Sequence, residues 1–147
     1  VARGARLAGA LPALLGGERP TLLAQNIRDR AIGEQWVSAI NSYFYDLAIR
    51  RYVLQYAFPK GANGQPDRAV IAASAGELPE KLAIFERGYT RPFLAGQQPT
   101  MPDYFLAPIV GYLDMFPESK AALASFPNLM HAHAAMKERP SWKETQA

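Results

Sequence analysis

The sequence predicts an all-α fold of about five to seven helices, and three observations lead to this prediction. Between Thr21 and Phe58 the only glycine or proline is Gly33, and apolar residues recur at the three- and four-residue spacing of a helix. Farther along, Thr100 and Asp103 stand ahead of a long apolar run, as at a capped helix start. No stretch alternates apolar and polar side chains over the length of a strand.

Length and composition indicate one globular domain. The chain has 147 residues, of which 49% are hydrophobic and 20% are charged, so it can bury a core without disulfides. Gly16, Gly17 and Pro20 interrupt the chain before the first long helix. We therefore expect residues 1–20 to be a lead-in or inter-domain segment, and residues 21–147 to form one helical domain.

Charge and composition argue against several classes of protein. The net charge of +3 comes from 16 basic and 13 acidic residues that are scattered along the chain, which does not favour a nucleic-acid partner. The sequence contains no cysteine, so disulfides and thiolate chemistry are excluded, and we expect a cytoplasmic protein. No apolar run approaches the roughly 18 residues that a membrane span needs.

The long segment after Thr21 carries apolar residues on more than one helical face. If it is one helix it is on the order of 50 Å long, so we expect a kink or a break, and contacts with more than one surface. Arg51 takes one core-spaced position, where an arginine extends to solvent or pairs with a carboxylate, with anion binding as the alternative. Tyr45, Tyr52 and Tyr56 form a further row. The main apolar row consists of Val37, Ile40, Phe44, Leu47, Leu54 and Phe58.

Four more helices are predicted after a Gly- and Pro-rich loop at 58–67. In the first of them Gly76 and Pro79 leave open a kink or a division into two helices. The four run from Asp67 to about Arg87, from near Met101 to before Pro117, from Ser119 to Ser125, and from Pro127 to Glu138, where Pro140 ends the last.

No residue pattern of a catalytic or metal site is present. Glu77, Glu80 and Glu86 have basic neighbours, which is typical of a solvated helix face. His131 and His133 are two residues apart and face different sides of a helix, whereas a helical metal pair is spaced by four. The serines lack a nucleophile-elbow context, and there is no phosphate-binding glycine loop. We therefore predict no catalytic residue and no metal site in this chain.

Thr100 and Asp103 are best explained as a capping box. In that motif the threonine hydroxyl accepts from the amide of Asp103, and the Asp103 carboxylate accepts from the amide of Thr100. The carboxylate also lies at the positive end of the helix dipole, and Pro102 takes a position where proline costs no hydrogen bond. The helix that follows is apolar nearly all round, so we expect it to be central and buried. As a buried cap, Asp103 should contribute on the order of 1–2 kcal/mol.

Four segments in order resemble the C-terminal domain of the glutathione transferase family. FLAGQQPTMPDYFLAPIV resembles the family's signature yLaGd-x-x-T-x-A-D-x-x-x-x-P, with Thr100, Asp103 and Pro108 on its threonine, aspartate and proline. RAIGEQWV, IFERGYTRPFLAG and FPNLMHAHAAMKERPSW resemble three more segments of that domain. In the last of them Ala132 and His133 stand where many members carry a tryptophan.

The resemblance implies a helical domain that packs beside a thioredoxin-like N-terminal domain and pairs into a homodimer. The thioredoxin-like domain, which in this family binds glutathione and carries the catalytic residue, has no counterpart in this sequence. The intact protein would transfer glutathione, its co-substrate, to apolar electrophilic compounds, as in detoxification. This domain would supply one wall of the substrate pocket, at Tyr45, Tyr112 and Leu113. The alternative is a non-enzymatic module of the same fold that serves in protein interaction.

Overall fold

The computed structural model describes residues 22–24 and 26–145, and six helices make up most of that part. The expected lead-in, residues 1–20, lies outside the described residues. Helix α1 (27–57) joins α-helical Ile27–Ala39, π-helical Ile40–Phe44 and Asp46–Val53, and α-helical Leu54–Ala57. The others are α2 (Arg68–Gly88), α3 (Met101–Leu113), α4 (Pro117–Leu123), α5 (Pro127–Lys137) and α6 (Pro140–Thr145).

The all-α prediction is confirmed. Within 22–24 and 26–145 the only β-type pairing is an isolated bridge between Phe93 and Gly96, in the loop before α3. The Asn63–Gly64 turn of the predicted loop between α1 and α2 adopts left-handed torsions, with φ of 57° and 70°. In the described part of the chain no helix is both long enough and apolar enough to cross a bilayer.

Helix α1 has no break, although a kink or a break was expected in so long a helix. The residues at its internal joins, Ala39, Tyr45 and Val53, all keep right-handed helical torsions, and the chain passes through two π-helical segments instead. A π-helix bonds each amide five residues back, so it changes which face the following side chains present. One side of α1 lies in the core with Ile40 and Phe44, while Tyr43 on another side is 73% exposed.

Two carboxylates on α2 join it to neighbouring helices, although Glu77 and Glu80 lie exposed as predicted for a solvated face. Glu77 accepts two hydrogen bonds from the Arg51 guanidinium, one of them at 3.0 Å, so Arg51 pairs with a carboxylate as the first alternative predicted. Glu86 accepts from the backbone amides of Asn128 at 3.1 Å and Leu129 at 2.9 Å, and so caps the start of α5. Glu77 and Glu80 both lie exposed, Glu80 beside Lys81, whereas Glu86 is half-buried.

The tyrosine row of α1 ends in a polar contact with α4. Tyr52, which is fully buried, donates its hydroxyl to Glu118 Oε2 at 3.1 Å, and Tyr56 donates to the same oxygen at 2.7 Å. The backbone amide of Ser119 donates to the Tyr52 hydroxyl oxygen at 3.2 Å. The hydrogen bond from Tyr56 is the main cause that holds the pKa of the Glu118 carboxyl below its ordinary value. These contacts fix the short helix α4 against α1.

Two prolines act differently from expectation. Helix α2 continues as one helix through Pro79, which is exposed to solvent. Asp67 caps the start of this helix by accepting hydrogen bonds from the amides of Ala69 and Val70 at 3.0 and 3.1 Å. Helix α5 ends at Lys137, before Pro140 as predicted, but Pro140 is also the first residue of helix α6, which was not predicted. A proline suits that first position because its missing N–H would have no partner there.

Candidate functional site

Helix α3 begins at the predicted capping box. The amide and the hydroxyl of Thr100 donate to Asp103 Oδ2 at 2.9 and 3.2 Å. The second carboxylate oxygen, Oδ1, accepts from the backbone amide of Leu94 at 3.0 Å. Asp103 is 2% exposed, so these donors take the place of water around its carboxylate. Asp103 therefore ties the start of α3, at Thr100, to the preceding loop, at Leu94.

Burial and hydrogen bonding act in opposite directions on Asp103. Removal from water raises the pKa of the carboxyl above its ordinary value, since the charged form is poorly solvated in the interior. The hydrogen bonds from Leu94 and Thr100 favour the ionised form and oppose that rise. Its hydrogen-bond donors among the described residues are backbone amides and the Thr100 hydroxyl, so Asp103 stabilises the architecture, and its burial keeps the carboxylate out of reach of a substrate.

One side of α3 is open, which differs from the expectation of a helix buried all round. Phe105 is 43% exposed, Tyr112 52% and Met115 69%, and Pro108 between them is exposed as well. The four follow the spacing i, i+3, i+7 and i+10, which aligns them along one face of the helix and its C-terminal turn. We refer to these four residues as the α3 stripe. No described element covers it, although the opposite face of α3 lies in the core.

The C-terminal half of the stripe borders an open groove of about 720 Å³. That volume falls within the range of roughly 300–1,000 Å³ that small-molecule pockets occupy. Helix α3 and its C-terminal turn form one side, while α5 and α6 form the other. The groove is lined by Pro108, Gly111, Tyr112, Asp114, Met115, His133, Lys137, Trp142 and Thr145.

His133 and Trp142 meet at the base of this groove. Their rings are 5.5 Å apart between centroids and nearly perpendicular, at 86°. Gly111 leaves room for the indole, because a Cβ at that position would lie 3.2 Å from Trp142 Cη2. His133 is 4% exposed, and its Nδ1 is buried without a hydrogen-bond partner among residues 22–24 and 26–145. An orphaned buried polar atom of this kind is rare in folded proteins.

The three predicted pocket residues have different surroundings. Tyr112 lines the groove and belongs to the α3 stripe. Tyr45, 41% exposed, lies between the two π-helical segments of α1, with the Arg50 guanidinium 6.0 Å from its ring centre, and it is not among the residues that line the groove. Leu113 is 0% exposed and packs in the core, so it has no surface to offer a substrate.

Sequence reasoning did not find the polar side of the groove. The sequence suggested His133 as a metal ligand with His131, which was rejected, or as a replacement for the family's tryptophan, but not as part of a groove. No cluster of three or more His, Cys, Asp or Glu that could hold a metal occurs among the described residues. Lys137 follows His133 by one helical turn, a spacing visible in the sequence. Trp142 lies on a helix that was not predicted, so its meeting with His133 had no sequence signal.

Acid is expected to destabilise the domain through His133. Burial, with a smaller contribution from Lys137 and an opposing one from Asp114, lowers the pKa of this imidazole below its ordinary value of 6.5. The folded state therefore binds fewer protons than the unfolded state below pH 6.5, and stability falls as the pH drops through that range. Urea unfolding at pH 7.5 and 5.0 should show a smaller acid loss for His133→Gln than for the wild type. The same loss in both proteins would exclude His133 as the cause.

Comparison with known proteins identifies this arrangement of helices. A family model described as glutathione S-transferase, C-terminal domain, matches residues 49–144. Glutathione S-transferase F11 of Arabidopsis thaliana is 30% identical over 125 residues, which cover 84% of this chain and 58% of that protein. The chain belongs to the glutathione S-transferase family and contains its C-terminal helical domain.

Solved structures agree with this assignment. Glutathione transferase F2 from Populus trichocarpa superposes with a TM-score of 0.71 at 29% identity, covering 84% of this chain and 57% of that one. Glutathione S-transferase III in its apo form gives a TM-score of 0.77 at 26% identity, covering 93% and 62%. The chain thus spans about 58% of the length of its Arabidopsis relative.

Proposed function

We propose that this domain serves a glutathione transferase that joins glutathione to apolar electrophilic compounds, as in detoxification. Residues 21–147 would form the helical domain and residues 1–20 its lead-in from a thioredoxin-like domain. That partner domain would bind the co-substrate glutathione and supply the catalytic residue, since no catalytic group is assigned to this chain. The intact enzyme would be a cytoplasmic homodimer.

The observation that carries this proposal is the exposed α3 stripe on an otherwise buried helix. An isolated domain gains nothing from placing Phe105, Tyr112 and Met115 in water, whereas a second domain packed over part of the stripe would bury them. The uncovered remainder would then be one apolar wall of a substrate pocket. Tyr45 on α1 is proposed as a second contact in that wall.

The homodimer contact is proposed for the two long helices. Apolar side chains stand exposed along them, with Ile27 at 87% and Tyr43 at 73% on α1, and with Val70 and Ile84 on α2. Such residues favour association with another surface.

The test is a kinetic comparison in the full-length protein proposed here, with glutathione and 1-chloro-2,4-dinitrobenzene. Tyr112→Ala should raise KM for the electrophile severalfold and leave KM for glutathione unchanged, because Tyr112 would touch only the apolar substrate. Phe58→Ala is the control, since Phe58 is an exposed aromatic residue just past the end of α1, outside the stripe, the groove and the proposed homodimer contact, and it should leave KM for the electrophile unchanged. Equal effects of the two substitutions would remove Tyr112 from the pocket.

The alternative is a non-enzymatic module of the same fold that takes part in protein interaction. The exposed stripe would suit that role too, because it could bury itself against a protein partner. Calorimetric titration with glutathione separates the two: a full-length protein that neither binds glutathione nor conjugates the dinitrobenzene contradicts the enzyme and favours the module.

A further inference from the structure

The groove between α3, α5 and α6 combines an aromatic surface with hydrogen-bond donors. Tyr112 and Trp142 contribute rings, and Pro108 and Met115 extend the apolar surface beside them. His133 and Lys137 lie on α5 one helical turn apart, so both reach the same side of the groove. A ligand that matches this surface has an aromatic ring system and a hydrogen-bond acceptor group at one end.

His133 is arranged to give a hydrogen bond to such a ligand. Its Nδ1 is buried without a partner in the described part of the chain, and an unpaired buried nitrogen costs less as an acceptor than as a donor. That preference places the proton of the neutral ring on Nε2. The imidazole is held by its perpendicular contact with the Trp142 indole, so it does not need to reorient when a ligand arrives.

The charges at the groove favour an anionic acceptor. Lys137 lies exposed at the end of α5, and among the described residues no ion pair involves it. Asp114 also lines the groove, but its carboxylate is 3.6 Å from the Lys120 ammonium, which offsets its negative charge. A carboxylate at His133 and Lys137 would therefore find one unpaired cation and one N–H donor.

We propose that the groove binds an aromatic carboxylate, with the ring against Tyr112 and Trp142 and the carboxylate at His133 and Lys137. This inference deepens the proposed function, on which it rests for Tyr112, and it names the class of electrophile that the enzyme would bind most tightly: aromatic compounds that carry an acidic group. Binding of the acid can be measured on this chain without turnover, so the two proposals are tested separately.

The test is calorimetric titration of the 147-residue chain with 2-naphthoate and with its neutral counterpart, 2-naphthalenemethanol. The acid should bind about tenfold more tightly than the alcohol, since a charge-assisted hydrogen bond is lost in the alcohol. His133→Gln and Lys137→Gln should each weaken binding of the acid about tenfold and change binding of the alcohol little. Lys137 is exposed, so its variant keeps the test valid if the buried His133 variant folds poorly.

The controls are His131→Gln and Lys60→Gln, which remove the same groups from exposed positions outside the groove. Both should bind the acid as the wild type does. Equal affinity for acid and alcohol, equal losses in controls and groove variants, or no binding of millimolar acid would each overturn the proposal. If the acid binds as expected while the full-length protein conjugates nothing, the proposed function fails and the groove site stands.

Discussion

Replacing Asp103 by alanine is expected to destabilise the domain by about 3 kcal/mol, more than the loss of a helix cap alone. The substitution removes the acceptor of the amides of Leu94 and Thr100, for which the described residues provide no other. Both residues are buried, at 2% and 7% exposure, so neither amide can turn to water. Each unsatisfied buried donor costs about 1–3 kcal/mol, and here two are created at once. Urea unfolding at neutral pH measures the difference.

Two further variants separate the carboxylate's contributions. Asp67→Ala removes the cap of α2 at a partly exposed position, where water can replace it, and should cost only about 1 kcal/mol. Asp103→Asn keeps one acceptor oxygen and avoids a buried charge, so it should lose less than the alanine variant. A loss in Asp103→Ala no larger than in Asp67→Ala would show that the Leu94 contact contributes nothing.

The contacts of Asp103 were only partly predictable from the sequence. Thr100 and Asp103 could be predicted because a capping box is local and its two residues always stand three apart. The amide of Leu94 could not be assigned to Asp103, since the path of the loop before α3 depends on packing that no short pattern encodes. The predicted contribution of 1–2 kcal/mol was therefore based on the cap alone.

Helix α1 is a second element whose structure the sequence predicts only in part. Apolar spacing correctly predicted a long helix that ends just before Phe58, and Tyr43 and Tyr45 are exposed on it. The π-helical segments from Ile40 to Val53 had no signal, because such turns arise when tertiary packing overrides local propensity. In the same way, Arg51 at a core-spaced position predicted a pairing or a solvent role, but only the folded chain brings Glu77 to it.

The groove between α3, α5 and α6 was the feature that the sequence predicted least. Tyr112 came from the resemblance to the family, whereas His133, Lys137 and Trp142 meet only after α5 and α6 fold back beside α3. The exposed face of α3 was missed because a helix that is apolar all round looks wholly buried when its partners are unknown. A stripe that another domain covers has the same sequence pattern as a core.

Gly88→Ala is expected to destabilise the domain by about 2–3 kcal/mol, the upper part of the range for overpacking a core. Gly88 ends α2, where the backbone passes directly over Trp36. A Cβ built there meets Cζ2 of the indole and lies 2.6 Å from Cη2, and Leu94 Cδ2 on the other side is only 3.3 Å away. Trp36 cannot yield easily, since its ring packs against Phe85 at 5.6 Å between centroids. Thermal unfolding should therefore begin at a clearly lower temperature.

Gly76→Ala on the same helix is the matched control for this prediction. An added Cβ at Gly76 meets no atom within 4 Å, so the substitution brings only the higher helix propensity of alanine. That gain is about 0.5–1 kcal/mol, and the melting temperature of this variant should rise. The two alanines thus shift stability in opposite directions although both replace a helical glycine of α2. If Gly88→Ala also raised the melting temperature, the indole would have room to move and the close contact with Trp36 would not constrain the end of α2.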